Sequence, residues 1–279
     1  MSIKEMLVVF VVVLMGLGVS FVQAEEVVAP IGLEVTSEVM TDYDFYGYDA
    51  FGDKTVWRVG ATYELPKLPI LGRGAFAGIS SLGPVGDGFE KRTRVDYTVG
   101  YNFILMKDTP LQINATTAYT LLDLVKSDND DDIHRATFTA ALPNVIKVLD
   151  IPLVPSIQVV RLESDNEDGD NKIPAWIVTA PGVTRQTDFV IDGTLVIAGL
   201  DYSVPVLSQE LDLSAKAVYN DGIAGSPAGT SHFALKASTD LKINDTLTLT
   251  PYASYFIHQE DSIEDEDSFG GGVCLKAKF

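Results

Sequence analysis

Period-two alternation of apolar and polar residues runs through the chain beyond its N-terminal apolar segment, and no stretch there carries a convincing helical period. Val95, Tyr97, Val99, Tyr101 and Phe103 alternate with Arg94, Asp96, Thr98, Gly100 and Asn102. Trp57, Val59, Ala61, Tyr63 and Leu65 do the same against Arg58, Gly60, Thr62 and Glu64. Leu211, Leu213, Ala215, Ala217 and Tyr219 alternate in the same way, as do Leu247, Leu249, Ala253, Tyr255 and Ile257. Because successive side chains of a strand point to opposite faces, each such run has one apolar and one polar face. The pattern predicts an all-β fold of about twelve strands. They lie near residues 31–46, 55–65, 73–81, 90–105, 111–122, 133–142, 152–162, 194–204, 210–219, 231–243, 246–259 and 269–279.

The connections alternate between two kinds. Short or apolar ones (LPKLPILG, LMKDTP, LPNVIKVLDI, PVLSQE and Asn244-Asp245) take turns with longer polar ones (YDAFGDK, LGPVGDG, KSDNDDD, residues 163–193, NDGIAGSPAGT and EDSIEDEDS). Charge divides the same way. The net charge is −19, and the six polar connections at 47–54, 82–90, 122–132, 163–193, 220–230 and 260–268 carry all of it. Strands and opposite turns are neutral in sum. An up-and-down transmembrane barrel has this asymmetry, with short periplasmic turns and long outer loops, and an even strand number puts both termini on the periplasmic side. A secreted β-sandwich or solenoid would share the alternation. Strands of ten or more residues suit a tilted crossing of a bilayer. Tyr and Phe near strand ends, as in Tyr43-Asp-Phe45-Tyr46, Tyr101-Asn-Phe103 and Tyr255-Phe256, suit its interfaces.

The N-terminus supports export. Lys4 precedes an apolar run from Met6 to about Val19, and Val22-Gln23-Ala24 supplies small residues before Glu25-Glu26. That layout predicts a signal peptide over residues 1–24, cleaved after Ala24, and one barrel domain over 25–279. The apolar run falls short of the roughly 18 residues expected of a membrane-spanning helix. A single cysteine, Cys274, excludes an internal disulfide, and with three scattered histidines it excludes a zinc cluster. The acidic charge argues against nucleic acid as a partner.

The last strand sets Val273, Leu275, Ala277 and Phe279 against Cys274, Lys276 and Lys278 and ends the chain on an aromatic residue. It resembles the C-terminal signal by which bacterial outer-membrane barrels are recognised and inserted, with Val273, Leu275 and Phe279 as its carriers. It departs from that pattern at Ala277, where a larger aromatic is frequent, and at Cys274, where glycine is often found. Over the whole exported chain the sequence is similar to a porin-like family of bacterial outer-membrane β-barrel proteins. That family's first strand reads like TDYDFYG (Thr41–Gly47), a TDYxFxG pattern, and the LSAKAVYNDG and EDEDS stretches resemble it as well. The resemblance implies a barrel in the bacterial outer membrane, in contact with its lipid and with the barrel-insertion machinery. It implies no particular activity.

His134, His232 and His258 fall near strand ends on the acidic side, with Ser231 beside His232 and Ser262 four residues after His258. Adjacency in sequence does not supply the geometry of a triad, so no enzyme is expected. Laid on a calcium-loop pattern, Ser164 to Gly169 puts Ser at the first ligand position and Ala175 at the terminal Glu, so no cofactor or specific metal site is expected. Asn114-Ala-Thr116 and Asn244-Asp-Thr246 match sequons but read as strand and turn.

The inward face is predicted to display Glu34, Glu38, Asp42, Arg58, Glu64, Arg92, Arg94, Asp96, Arg135, Asp201, Asp212, Lys216, Lys236, Asp240, Lys242, Lys276 and Lys278. Two readings stay open: ion pairs that plug the lumen, or opposed charges that line a solute path. The leading expectation is a narrow, monomeric or weakly oligomeric channel for small hydrophilic solutes or ions. Arg58, Arg92 and Arg94 near the outer mouth would make the pore weakly anion-preferring or nearly unselective, while Glu34, Glu38 and Lys276 line the lumen. Glu34 is expected to meet Lys276 or Lys278 across the barrel seam. The alternative is a non-conducting surface or adhesion barrel whose acidic loops bind a partner or divalent cations.

Overall fold

The computed structural model describes residues 32–41, 54–65, 74–85, 93–125, 132–148, 151–164, 192–206, 209–223, 227–259 and 267–279. The expected signal peptide, the TDYDFYG stretch beyond Thr41, Arg92, Ser262 and most of the acidic connections lie outside the described residues. Among the described residues fourteen strands follow one another: β1 Leu33–Met40, β2 Val56–Glu64, β3 Ala75–Pro84, β4 Thr93–Leu105, β5 Ile113–Val125, β6 Ile133–Ala141, β7 Ile146–Val148, β8 Ile151–Ser164, β9 Gly193–Val206, β10 Gln209–Asn220, β11 Gly229–Thr239, β12 Leu241–Lys242, β13 Leu247–His258 and β14 Ser268–Lys278. Twelve of them build the wall. The other two are short ribbons at the turns, β7 pairing back on β8 and β12 on β13. Every pairing is antiparallel and mostly between chain neighbours, with β11 bridging to β13 and β14 returning to β1. The sheet therefore closes into a twelve-strand up-and-down barrel, as the alternation predicts.

Closure removes the exposed edge that a β-sheet cannot leave in lipid. Seven residue pairs join β1 to β14, from Glu34↔Lys278 to Met40↔Gly272. The terminal residue is part of the ladder: Phe279 N–H donates to Leu33 O at 2.9 Å, and Gly32 N–H donates to Phe279 O at 3.1 Å. Both bonds are made by the Phe279 backbone.

Alternation fixes what faces outward. Val39, Tyr63, Ile79, Tyr97, Val99, Tyr119, Phe138, Leu200, Leu235 and Phe269 are large, apolar or aromatic, and exposed. Two aromatic girdles bound this apolar band. Trp57, Tyr219, Phe233, Tyr255 and Phe269 stand near the ends that lead into the acidic connections, and Tyr63, Tyr101, Phe103 and Tyr202 near the short turns. A continuous apolar belt between aromatic rings is the surface of a barrel solvated by lipid.

Turn chemistry explains the short end. Asn244 Oδ1 accepts from Thr246 N–H at 2.9 Å and Leu247 N–H at 2.7 Å, closing the β12–β13 turn with one side chain. The β4–β5 turn places Met106 and Asp108 at positive φ and is held by the Thr109 hydroxyl donating to Met106 O at 2.7 Å.

Candidate functional site

The face opposite the apolar band is the lumen. Pairing register puts the described members of the predicted inward set on that one face. Glu38 stands between Arg58 and Cys274, Arg94 opposite Leu82, Lys216 opposite Gly199, and Lys236 between Ser214 and Ser254. The structure then decides which of these charges meet.

Around the seam, Arg58 Nη2 donates to Glu38 Oε2 at 2.5 Å. Glu38 is buried, whereas the Arg58 side chain is 44% exposed. The Tyr252 side chain stands beside the Glu38 carboxylate. Tyr252 can lie along the wall because its neighbour on β14 is Gly272: a Cβ there would sit 2.7 Å from the Tyr252 hydroxyl oxygen and 2.6 Å from Val39 O. Lys236 Nζ rests 4.0 Å from the centre of the Tyr252 ring, a cation held on an aromatic face. Glu38, Arg58, Tyr252 and Lys236 thus form one connected cluster drawn from β1, β2, β13 and β11.

Nearer the short turns, Lys278 Nζ lies 3.1 Å from Glu34 Oε2, and Lys276 Nζ lies 3.6 Å from Asp240 Oδ1. Asp240 also accepts from the Thr250 hydroxyl at 2.5 Å. Lys276 is registered against Thr36 on β1 and Thr248 on β13, so it turns away from Glu34 and towards Asp240. Of the two seam partners the sequence offers Glu34, the stagger selects Lys278.

On the far wall, Arg94 and Asp96 are two apart on β4 and both point inward. Arg94 Nε lies 2.7 Å from Asp96 Oδ1, and Arg94 Nη2 donates to Oδ2 at 3.0 Å. Both side chains are almost fully buried. Arg135 Nη2 donates to the Thr120 hydroxyl at 3.3 Å, and Thr120 is linked to Thr98 at 3.0 Å. Arg94 is therefore locked to a carboxylate and shielded from water, and Arg58 is half-exposed but paired. Arg92 lies outside the described residues. The described arginines are not assembled into an open cationic filter.

Two cations the sequence did not single out behave differently. Lys216 and Lys236 are exposed on the inward face, and among the described residues neither has a carboxylate within ion-pair distance. Lys236 stands within electrostatic range of Lys216, Arg58 and Lys276 as well as Glu38. Their signal in the sequence was only the inward parity of two lysines on successive strands.

A second feature is apolar. Towards the acidic connections the inward face also carries buried apolar residues, Leu122 on β5, Ile133 on β6, Leu162 on β8, Leu195 and Ile197 on β9, and Val218 on β10, interleaved with charges at the same depth: Asp96 lies opposite Leu122, and Arg135 opposite Leu162. Neighbouring strands bring them side by side, with Leu122 opposite Ile133, Val160 opposite Leu195 and Ile197 opposite Val218. Met40, Val56 and Leu82 continue the apolar character on β1, β2 and β3. At the same end a register shift beside Val218 leaves Ser231 as an extra residue on β11 and sets His232 opposite His258, ring centres 5.8 Å apart. His134 belongs to the outward face, where it hydrogen-bonds the Tyr119 hydroxyl. The three histidines therefore do not share a site, and no group of three or more metal-ligating residues occurs among the described residues.

No protein-family model and no curated protein matches the chain. Among solved structures, an outer membrane channel from Pseudomonas putida F1 aligns with a TM-score of 0.51 at 8% identity, over 90% of this chain and 97% of that one. The KdgM porin aligns with a TM-score of 0.48 at 10% identity, over 88% and 99% of the two chains. The NanC porin gives 0.47 at 9% identity, over 88% and 98%. At these identities the likeness is one of fold: this chain is similar in architecture to outer-membrane barrels.

Proposed function

We propose that the chain is a bacterial outer-membrane protein whose barrel forms a narrow channel for small water-soluble solutes, with a weak preference for anions. The observation that carries this reading is the pair of exposed inward lysines, Lys216 and Lys236. A lumen sealed by side chains must neutralise every charge it buries, as Arg94 and Asp96 do. Exposed inward ammonium groups with no carboxylate at ion-pair distance among the described residues call for water around them, and water at that depth is the medium a solute moves through.

The sign of the selectivity follows from distance. Charges more than about 8 Å away are largely screened at physiological salt, so the acidic connections act on approach and the lysines act at the wall. In this reading the outward band contacts outer-membrane lipid. The last strand, with Val273, Leu275 and Phe279, is what the insertion machinery engages. The chain works as a passage and not as an enzyme.

A second reading, a non-conducting surface barrel whose acidic connections bind a partner or divalent cations, is favoured by the buried apolar tier at that end of the lumen. Single-channel recording of refolded protein across a potassium chloride gradient separates the two. The channel reading expects small discrete openings with a reversal potential on the chloride side. Bilayers that stay sealed would support the surface barrel, and openings with strong potassium preference would overturn the role given to the lysines.

A further inference from the structure

Ion pairs join many of the inward charges: Arg94 with Asp96, Arg58 with Glu38, Lys276 with Asp240 and Lys278 with Glu34. The wall formed by β9, β10 and β11 is different. Asp201, Lys216 and Lys236 are all exposed there on the inward face. Among the described residues Asp201 has neither an ion pair nor a hydrogen bond. Register sets Asp201 opposite Ser214 and Ser214 opposite Lys236, so a carboxylate and an ammonium group share one row with a single small side chain between them. The Ser214 hydroxyl bonds to neither. Lys236 is drawn to the other side, where its Nζ rests 4.0 Å from the centre of the Tyr252 ring on β13. Lys216 stands two residues further along β10, its stem beside Gly199. One row towards the short turns the next carboxylate, Asp212, already accepts from the Ser203 hydroxyl at 2.5 Å. The wall therefore presents one carboxylate and two ammonium groups to the lumen, near one another and not paired.

Charges of both signs held apart on a wetted wall complement a solute that carries both. We infer that Asp201, Lys216 and Lys236 form the specificity element of the channel, and that the class of solute it favours is small zwitterions whose ammonium and carboxylate groups lie several bonds apart. The inference rests on the channel reading. A simple anion is attracted by the lysines and repelled by Asp201, and a simple cation meets the reverse. A zwitterion with its carboxylate towards the lysines and its ammonium towards Asp201 is attracted at both ends. Asp201 and Lys236 belong to strands two spacings apart, about 9.5 Å along the wall. A solute with separated charges reaches both, whereas an amino acid with both charges on one carbon reaches one at a time. Ion pairs in contact with water are weak, so the solute leaves as readily as it enters, which conduction requires.

γ-Aminobutyrate, γ-hydroxybutyrate and γ-aminobutyramide provide the comparison: they match in heavy atoms and are a zwitterion, an anion and a cation. Tracer flux of each is measured into liposomes containing the refolded full chain, in symmetric potassium chloride that balances charge. Flux should favour γ-aminobutyrate over either of the others by about threefold, the scale of one or two solvated ion pairs. Asp201→Asn should remove its advantage over γ-hydroxybutyrate and slow γ-aminobutyramide. Lys216→Gln with Lys236→Gln should remove its advantage over γ-aminobutyramide and slow γ-hydroxybutyrate. A plain anion-selective pore would carry no less γ-aminobutyrate after Asp201→Asn, so that variant separates the two. All three side chains are exposed, and heat-modifiable gel mobility reports that each variant is folded. If the double variant does not fold, Lys236→Gln alone applies the same test. A γ-aminobutyrate flux no greater than that of γ-hydroxybutyrate, or one that Asp201→Asn leaves unchanged, overturns the inference while the channel stands. So does passage of chloride with all three solutes excluded. Absence of flux for the three solutes and for chloride overturns the channel reading, and this inference with it.

Discussion

Glu34 and Lys278 face each other across the seam of the barrel, Oε2 to Nζ at 3.1 Å, as the first of the seven pairs that join β1 to β14. The contact lies at the end of both strands. The Lys278 side chain is 72% exposed and that of Glu34 is 37% exposed. Exposure of that kind limits a pair to about 0.2–1 kcal/mol. The expected outcome is a small, salt-sensitive coupling: Glu34→Lys and Lys278→Glu each destabilise slightly, and the double exchange recovers the loss. Urea unfolding in detergent, run as a double-mutant cycle, measures it. Strict additivity would refute the pairing.

Arg94 and Asp96 are the opposite case, a pair buried on one strand with two N–O approaches of 2.7 and 3.0 Å. Removing one member leaves an uncompensated charge away from water. Asp96→Ala should therefore cost about 3 kcal/mol or more in unfolding free energy. Replacing both at once, Arg94→Met with Asp96→Leu, should recover most of that, because neither charge then remains. A double variant as unstable as the single one would show that the pair does more than neutralise itself.

Much of this architecture is legible in the residues. Twelve strands follow from period-two alternation, because the lipid-facing and lumen-facing sides of each strand differ in composition. Closure follows from a terminal strand that ends on Phe279. Pairing within the lumen is less legible, since alternation gives parity but not stagger. Glu34 is compatible with either Lys276 or Lys278 until the register of β1 on β14 is known. The apolar tier left a trace that alternation obscures. Leu195-Val196-Ile197-Ala198 and Val159-Val160 are apolar on both faces, which marks strands covered on both sides, yet a continuous apolar run does not say what lies on the second face. The arginines look alike in sequence. Only the neighbours, Glu38 for Arg58 and Asp96 for Arg94, separate a half-exposed cation from a sequestered one.

Gly272 sits where two parts of the lumen cluster converge. A Cβ at this position would lie 2.6 Å from Val39 O and 2.7 Å from the Tyr252 hydroxyl. The first is backbone of the neighbouring strand and cannot turn aside. Gly272→Ala should therefore destabilise the barrel by about 1–3 kcal/mol, through displacement of β1 or of Tyr252. Gly271→Ala, on the outward face, meets nothing closer than Tyr252 O at 3.1 Å and should cost less. Thermal midpoints of the heat-modifiable band for the two variants give the order, and a reversed order would remove Gly272 from its place beneath Tyr252.

Selectivity distinguishes the lysines from the arginines. Lys216 and Lys236 are exposed to the lumen and lack a carboxylate within ion-pair distance among the described residues, whereas Arg94 is buried against Asp96. Charge that is already neutralised at contact distance contributes little field to a passing ion, and a cation with no carboxylate at ion-pair distance contributes more of its own. Lys216→Gln with Lys236→Gln should therefore move the reversal potential in a potassium chloride gradient towards the potassium side. The shift should be larger at low salt, where screening is weaker. Replacing Arg94 and Asp96 together by Gln and Asn should leave the potential where it was, whatever it does to stability. Tyr252→Leu should lie between these cases, since it frees Lys236 from its aromatic face without removing the charge. A potential that follows Arg94 and ignores the lysines would put the selective charge on β4 and empty Lys216 and Lys236 of their role.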